Sequence, residues 1–122
     1  MIIYVIDDET LLRHMSEQTI RQAAPGAEIV SFPGPRQVLA AFKERKPDII
    51  FTDIDMPRMT GLELAQEIRR ADTGIRIAFV TAFTKHEVPN YNAPGKGLIL
   101  KPISFEAVRE ELKAASSLSS NR

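Results

Sequence analysis

The sequence predicts an α/β three-layer sandwich built on a doubly wound, five-stranded parallel sheet. Two observations carry this. Short apolar and β-branched runs such as Ile2 to Ile6, Ile49 to Thr52 and Ile77 to Val80 are continuous rather than alternating, as in strands buried on both faces. Between them lie stretches with apolar residues at helical spacing, bounded by Pro, Gly and capping residues. Strands alternating with helices give a parallel sheet covered on both sides, and right-handed crossovers restrict its topology further.

The first strand, Ile2 to Ile6, ends in Asp7-Asp8-Glu9. A helix follows from about Thr10 to Ala24, with Leu12, Met15, Thr19 and Ala23 as its expected buried stripe. Pro25-Gly26 stops it. Glu28 to Phe32 reads as the second strand, and Pro33-Gly34-Pro35 turns the chain, Pro35 being suited to a first helical position. The second helix runs to about Arg45 with Val38, Leu39 and Phe42 inward, and Pro47 ends it before the third strand, Ile49 to Thr52, tipped by Asp53. Thr60-Gly61-Leu62-Glu63 is a capping-box pattern, in which hydroxyl and carboxylate each accept from the other residue's backbone N–H. The third helix carries Leu64, Ala65 and Ile68 on one face and ends near Ala71; Asp72-Thr73-Gly74 then turns into a fourth strand, Arg76 to Thr81. The pattern weakens there. Thr84-Lys85-His86-Glu87 offers another capping box, but Pro89 falls where its ring removes a hydrogen bond and clashes with the preceding turn. At most one turn is expected, so the sandwich has an atypical or missing fourth helix. Gly97 to Leu100 is the fifth strand, followed by Lys101-Pro102. Ser104 caps a last helix with the stripe Phe105, Val108, Leu112 and Ala115.

The chain has 122 residues, enough for one domain that buries roughly two-thirds of its unfolded surface. The domain is expected over residues 1–115, with the serine-rich stretch 116–122 as a tail or linker. No cysteine is present, which excludes disulfides and thiolate metal sites. Sixteen basic residues balance 16 acidic ones, which argues against direct electrostatic binding of nucleic acid. The longest apolar run, Met1 to Ile6, is too short to span a bilayer and lacks the flanks of a signal peptide, so a cytoplasmic protein without membrane contact is expected.

Ligands in open α/β sheets bind outside the carboxyl ends of the strands. A parallel sheet would bring Asp7 and Asp8, Asp53, Thr81 and Lys101 to that one edge. Clustered carboxylates repel, and on that ground the pKa values of Asp7, Asp8 and Asp53 are expected to rise. A hard divalent cation such as Mg²⁺, held by oxygen ligands and waters, would relieve the repulsion. Lys101 adds a point charge for a carboxylate or a phosphoryl oxygen. Acid nucleophile, metal, ammonium and hydroxyl are the parts of a phosphoryl-transfer site. His14 and His86 have no ligand-type partner at metal spacing and read as surface residues.

In their order and spacing, Asp7-Asp8, Asp53 with Met56-Pro57 and Gly61, Thr81-Ala82 and Lys101-Pro102 resemble the response-regulator receiver domain of two-component signalling, from Ile2 to about Ala115. The resemblance implies a flavodoxin-like sheet of order 2-1-3-4-5 and a phosphoacceptor rather than a turnover enzyme. It implies that Asp53 takes a phosphoryl group from a phosphohistidine on a sensor histidine kinase or phosphotransfer protein. Asp8 and Asp53 would ligate Mg²⁺ directly with the backbone carbonyl of Asp55, and Asp7 would act mostly through water. Lys101, with a cis bond to Pro102, would bind a phosphoryl oxygen, and Thr81 would move to report it. Family members use the fourth helix, fifth strand and fifth helix for dimers or targets, so a homodimer is among the expected partners.

This chain departs from the family at two points. Leu98 stands where receivers usually carry Tyr or Phe, and Pro89 breaks the fourth helix. The segment Thr84 to Lys96 is therefore expected to be a mobile loop ordered by phosphorylation. Two other readings compete. The strand ending in Asp53-Ile54-Asp55 looks like the haloacid dehalogenase phosphatases, with Asp55 as general acid, but those enzymes place further metal-binding acids downstream of the lysine. A receiver-fold binding module that is no longer phosphorylated is the second, and the complete acceptor set weighs against it. The output is open: the serine-rich stretch reads either as a linker to a further domain or as the end of a single-domain regulator. Phe79-Val80-Thr81-Ala82 and Leu100-Lys101-Pro102-Ile103-Ser104 look like receivers joined to LytTR-type DNA-binding domains, which makes a transcription-regulating domain of that type beyond residue 122 one candidate output.

Overall fold

The computed structural model describes residues 1–72, 74–82, 96–101 and 103–120. Its strands are β1 (Ile2–Ile6), β2 (Glu28–Phe32), β3 (Ile49–Asp53), β4 (Arg76–Thr81) and β5 (Lys96–Leu100). Among the described residues the helices are α1 (Thr10–Ala23), α2 (Pro35–Glu44), α3 (Gly61–Ala71) and α4 (Phe105–Ser120). The strands form one parallel sheet in the order β2-β1-β3-β4-β5, the flavodoxin-like order.

Successive side chains of a strand point to opposite faces, and here each face meets its own pair of helices. Tyr4, Ile6, Ile50, Ile77 and Phe79 pack against Val38 and Phe42 of α2 and Leu64, Ala65 and Ile68 of α3. Ile3, Val5, Ile49, Phe51, Ala78, Val80 and Ile99 pack against Ile20 of α1 and Val108 and Ala115 of α4. β3 lies at the centre with every residue buried, which explains its unbroken apolar run. Burying one such aliphatic or aromatic side chain stabilises the fold by roughly 1.5–3 kcal/mol.

The expected α3 forms as read. Thr60 accepts from the Glu63 backbone N–H at 3.2 Å, and the Glu63 carboxylate accepts from the Thr60 N–H at 3.0 Å. Pro35 opens α2, and Ser104 Oγ accepts from the Ala107 N–H at 3.2 Å at the start of α4. Four details differ from expectation. The buried line of α1 runs through Ser16 and Ile20, while Met15 is 45% exposed. Apolar residues sit on both flanks of that helix, Leu11 and Met15 among them, so spacing alone gave its stripe the wrong phase. Phe105 is exposed at the first turn of α4, its ring under the Arg109 guanidinium. β5 begins one residue early, at Lys96, and α4 continues to Ser120, so the backbone of the serine-rich stretch is helical to that point. The expected single turn after Thr84, the break at Pro89, the mobile loop and the Lys101–Pro102 bond fall on residues outside those described, apart from Lys96 and Lys101.

One close approach decides how α3 meets the sheet. The Gly61 N–H donates to the Ile54 carbonyl at 2.9 Å, and a Cβ on Gly61 would lie 2.2 Å from the Asp53 backbone oxygen. At Gly26 a Cβ would meet nothing within 4 Å. Gly61→Ala is therefore expected to cost about 1–3 kcal/mol in urea unfolding, and Gly26→Ala to stay within about 0.5 kcal/mol of the parent. Equal effects of the two substitutions would contradict this packing.

Candidate functional site

β1, β3, β4 and β5 all deliver their carboxyl ends to one edge of the sheet. Asp7 follows β1, and its N–H donates to the Phe32 carbonyl at 3.3 Å. Its carboxylate accepts from the Glu9 N–H at 2.9 Å and from Lys101 Nζ at 3.4 Å. Asp53 ends β3, and one of its carboxylate oxygens is 3.5 Å from the same Nζ. Asp7 is 4% exposed and Asp53 5%, whereas Asp8 is exposed. Carboxylate oxygens of Asp7, Asp8 and Asp53 all lie within 4.8 Å of one another. Lys101 is drawn in by its own backbone, whose N–H donates to the Thr81 carbonyl at 2.7 Å. Thr81 is buried, one residue beyond Val80, which faces Asp53 in the β3–β4 register.

The structure thus brings together Asp7, Asp8, Asp53 and Lys101, with Thr81 on the same edge. Asp55 stands apart: its side chain is exposed and its carboxyl is not among the converging three. That leaves the phosphatase reading without its general acid beside Asp53. Asp55 contributes its backbone instead, its N–H near enough to the Asp53 carboxylate to favour the charged form. The loop that follows is shaped by Met56 N–H to the Ile54 carbonyl at 3.1 Å, by Met59 N–H to the Pro57 carbonyl at 2.8 Å, and by Arg58 at φ 72°.

Three supporting residues were not singled out as site residues in the sequence. Thr52 is buried and donates its hydroxyl to the Asp53 carbonyl at 2.9 Å. Gly61 lets α3 touch that same carbonyl. Arg13 donates from Nη1 to the Asp7 carbonyl at 2.8 Å. Each acts on the backbone of an acid rather than on its side chain, and residue type at a spacing carries little signal for such contacts. Only Gly61, adjacent to a capping Thr, stood in a recognisable pattern.

The Asp53 carboxyl is held above its usual pKa. Burial is the leading cause; the Lys101 ammonium opposes it, the Asp7 charge adds to it, and the Asp55 N–H opposes it. Repulsion among the acids was the expected cause, and it is secondary. Three hard carboxylate donors converge here, and among the described residues one ammonium lies within ion-pair distance of them. That donor set fits an oxygen-liganded divalent cation of the Mg²⁺ kind.

A family model described as the response regulator receiver domain matches residues 3–113. The chain is 30% identical over 117 residues to the chemotaxis protein CheY of Thermotoga maritima, covering 93% of this chain and 96% of that protein. It is 32% identical over 106 residues to the sensory transduction protein LytT of Oceanobacillus iheyensis, covering 85% of this chain and 43% of that protein. Among solved structures, the response regulator TrrA of Thermotoga maritima, in complex with Mg²⁺–BeF, superposes with a TM-score of 0.80 at 27% identity, over 93% of this chain and 97% of TrrA. The chain spans less than half the length of the first curated relatives it matches.

The raised pKa of Asp53 has a consequence for the metal-free protein. The folded state holds this proton more tightly than the unfolded chain. The stability it contributes is complete below the unfolded pKa and is lost as pH rises through the folded one. Asp53→Asn cannot ionise, so in the presence of a chelator it is expected to melt above the wild type at neutral pH and to converge with it at acidic pH. A variant that melts below the wild type at neutral pH would mean that Lys101 outweighs burial.

Proposed function

This chain belongs to the response regulator receiver domain family, and we propose that Asp53 is its phosphoryl acceptor. The observation that carries the assignment is the buried carboxylate at the tip of the central strand, 3.5 Å from an ammonium and beside two further acids. Receivers of this family accept the group rather than turn over a substrate. The donor in this proposal is a phosphohistidine on a sensor histidine kinase or a phosphotransfer protein. An Asp53 carboxylate oxygen attacks phosphorus, a P–O bond forms and the P–N bond breaks. The departing imidazole nitrogen keeps the electron pair and takes a proton from solvent.

Lys101 is poised to pair with a phosphoryl oxygen, since its Nζ already lies between Asp7 and Asp53. Thr81 offers the hydroxyl that binds a second oxygen and reports the modified state. Asp8, Asp53 and the Asp55 carbonyl would hold Mg²⁺ directly, with Asp7 acting through water. The bound cation would supply charge neutralisation between the acids and the phosphoryl oxygens. Burial matters for the attacking group: it removes water that would compete at phosphorus and strengthens each charge interaction.

The proposal extends to the rest of the system. Residues 1–115 are the receiver unit, with 116–122 leading out of it. An output domain of the LytTR DNA-binding type beyond residue 122, and with it a transcriptional role, is the reading suggested by the sequence resemblance; the likeness to part of a longer sensory transduction protein, LytT, is consistent with it. The kinase partner puts the receiver in the cytoplasm. No helix among the described residues is long and apolar enough to cross a membrane.

Incubation with acetyl phosphate and Mg²⁺ is expected to add one phosphoryl mass to the wild type and none to Asp53→Asn. Lys101→Ala is expected to slow labelling by roughly 100-fold, the order seen when one donor to a developing negative charge is removed. Labelling that persists in Asp53→Asn would overturn the assignment.

A further inference from the structure

Asp8 differs from its two neighbours in how it is held. Asp7 is fixed by the Glu9 N–H and by Lys101, and Asp53 is paired with Lys101. Among the described residues no hydrogen bond or ion pair reaches the Asp8 carboxylate, and the side chain is exposed. Its direction therefore comes from the backbone. That backbone is gripped on both sides by one residue. The Arg13 N–H donates to the Glu9 carbonyl at 2.9 Å, starting α1, and Arg13 Nη1 donates to the Asp7 carbonyl at 2.8 Å.

We propose that Arg13 is a positioning residue that fixes the Asp7–Asp8 peptide and so aims the Asp8 carboxylate at the metal position. The inference rests on the metal-site reading given above. The Asp7 carbonyl belongs to the planar peptide that joins the two acids. Rotation of that plane would move the Asp8 N–H and swing its side chain. A guanidinium donor makes a charge-assisted bond, about twice as strong as a neutral one. It is directional, and it comes from a half-buried side chain anchored on the first turn of α1. Groups that orient a metal ligand without touching the metal typically carry about 10–100-fold of its affinity.

The sign of the effect separates positioning from charge. Removing a positive charge beside a cation site strengthens cation binding by Coulomb's law. Loss of positioning weakens it. The test is Mg²⁺ titration followed by thermal unfolding, each variant referred to its own metal-free curve, for wild type, Arg13→Gln, Arg13→Lys, Asp8→Ala and Asp8→Ala with Arg13→Gln. Arg13→Gln is expected to weaken Mg²⁺ by about tenfold or more, with Arg13→Lys recovering part of the loss. In the Asp8→Ala background Arg13→Gln is expected to cause no further loss. Arg13→Gln binding Mg²⁺ as tightly as wild type, or tighter, overturns the inference, as does an undiminished loss in the Asp8→Ala background. A wild type whose melting curve ignores Mg²⁺ at all concentrations removes the metal-site reading itself, and this inference with it.

Discussion

Two carboxylates stand side by side, almost wholly withdrawn from water, with the Lys101 ammonium between them. Asp7 and Asp53 are each about 5% exposed or less, and Lys101 Nζ lies within 3.5 Å of both. Withdrawing a charge from water costs several kcal/mol unless it is paired and hydrogen-bonded. The architecture around the pair supplies that pairing. Parallel strands send their ends to one edge, β5 sits beside β4 so that the Lys101 backbone can bond to Thr81, and the β1–α1 turn gives Asp7 an N–H. Compensation is incomplete: the Asp53 pKa remains raised by burial. A site left in that state favours whatever brings further positive charge to it, the property that the proposed Mg²⁺ site needs.

The sheet and its covered faces were legible because their signals are redundant, while the strand order came from the family resemblance. β3 is apolar throughout, central and buried along its whole length, and α3 announces itself with a capping box that forms as written. The strand-tip residues followed from topology, since any parallel sheet gathers them. What the sequence hid was of another kind. The phase of α1 depends on which of two apolar flanks the sheet selects, and Ser16 rather than Met15 turns inward. The contacts of Thr52, Gly61 and Arg13 are made to backbone carbonyls. Such contacts follow from the path of the loops, and apart from Gly61 no residue pattern announced them. The cause of the Asp53 shift was also misjudged, because burial is a property of the packed fold, whereas the number of nearby acids can be counted in the chain.

The two sides of the site are built differently. Ile54, Met56 and the floor of the β3–α3 loop are buried, and α3 is pressed onto the Asp53 carbonyl with room for no side chain at Gly61. On the β5 side, Leu98 replaces the family's aromatic and packs, partly buried, against the core shared by α2 and α3. A branched aliphatic already seated in that core has no ring to turn between buried and exposed positions. In the proposed reading, Thr81 is then the described residue left to carry a signal through this face.

The most direct test of the account is chemical mapping of the modified residue. Protein labelled with acetyl phosphate and Mg²⁺ would be reduced with borohydride, which converts an aspartyl phosphate to homoserine, and digested for peptide mass analysis. The account predicts homoserine at position 53 alone. Homoserine at position 7, 8 or 55, or an unmodified Asp53 in protein that has gained the phosphoryl mass, would contradict it.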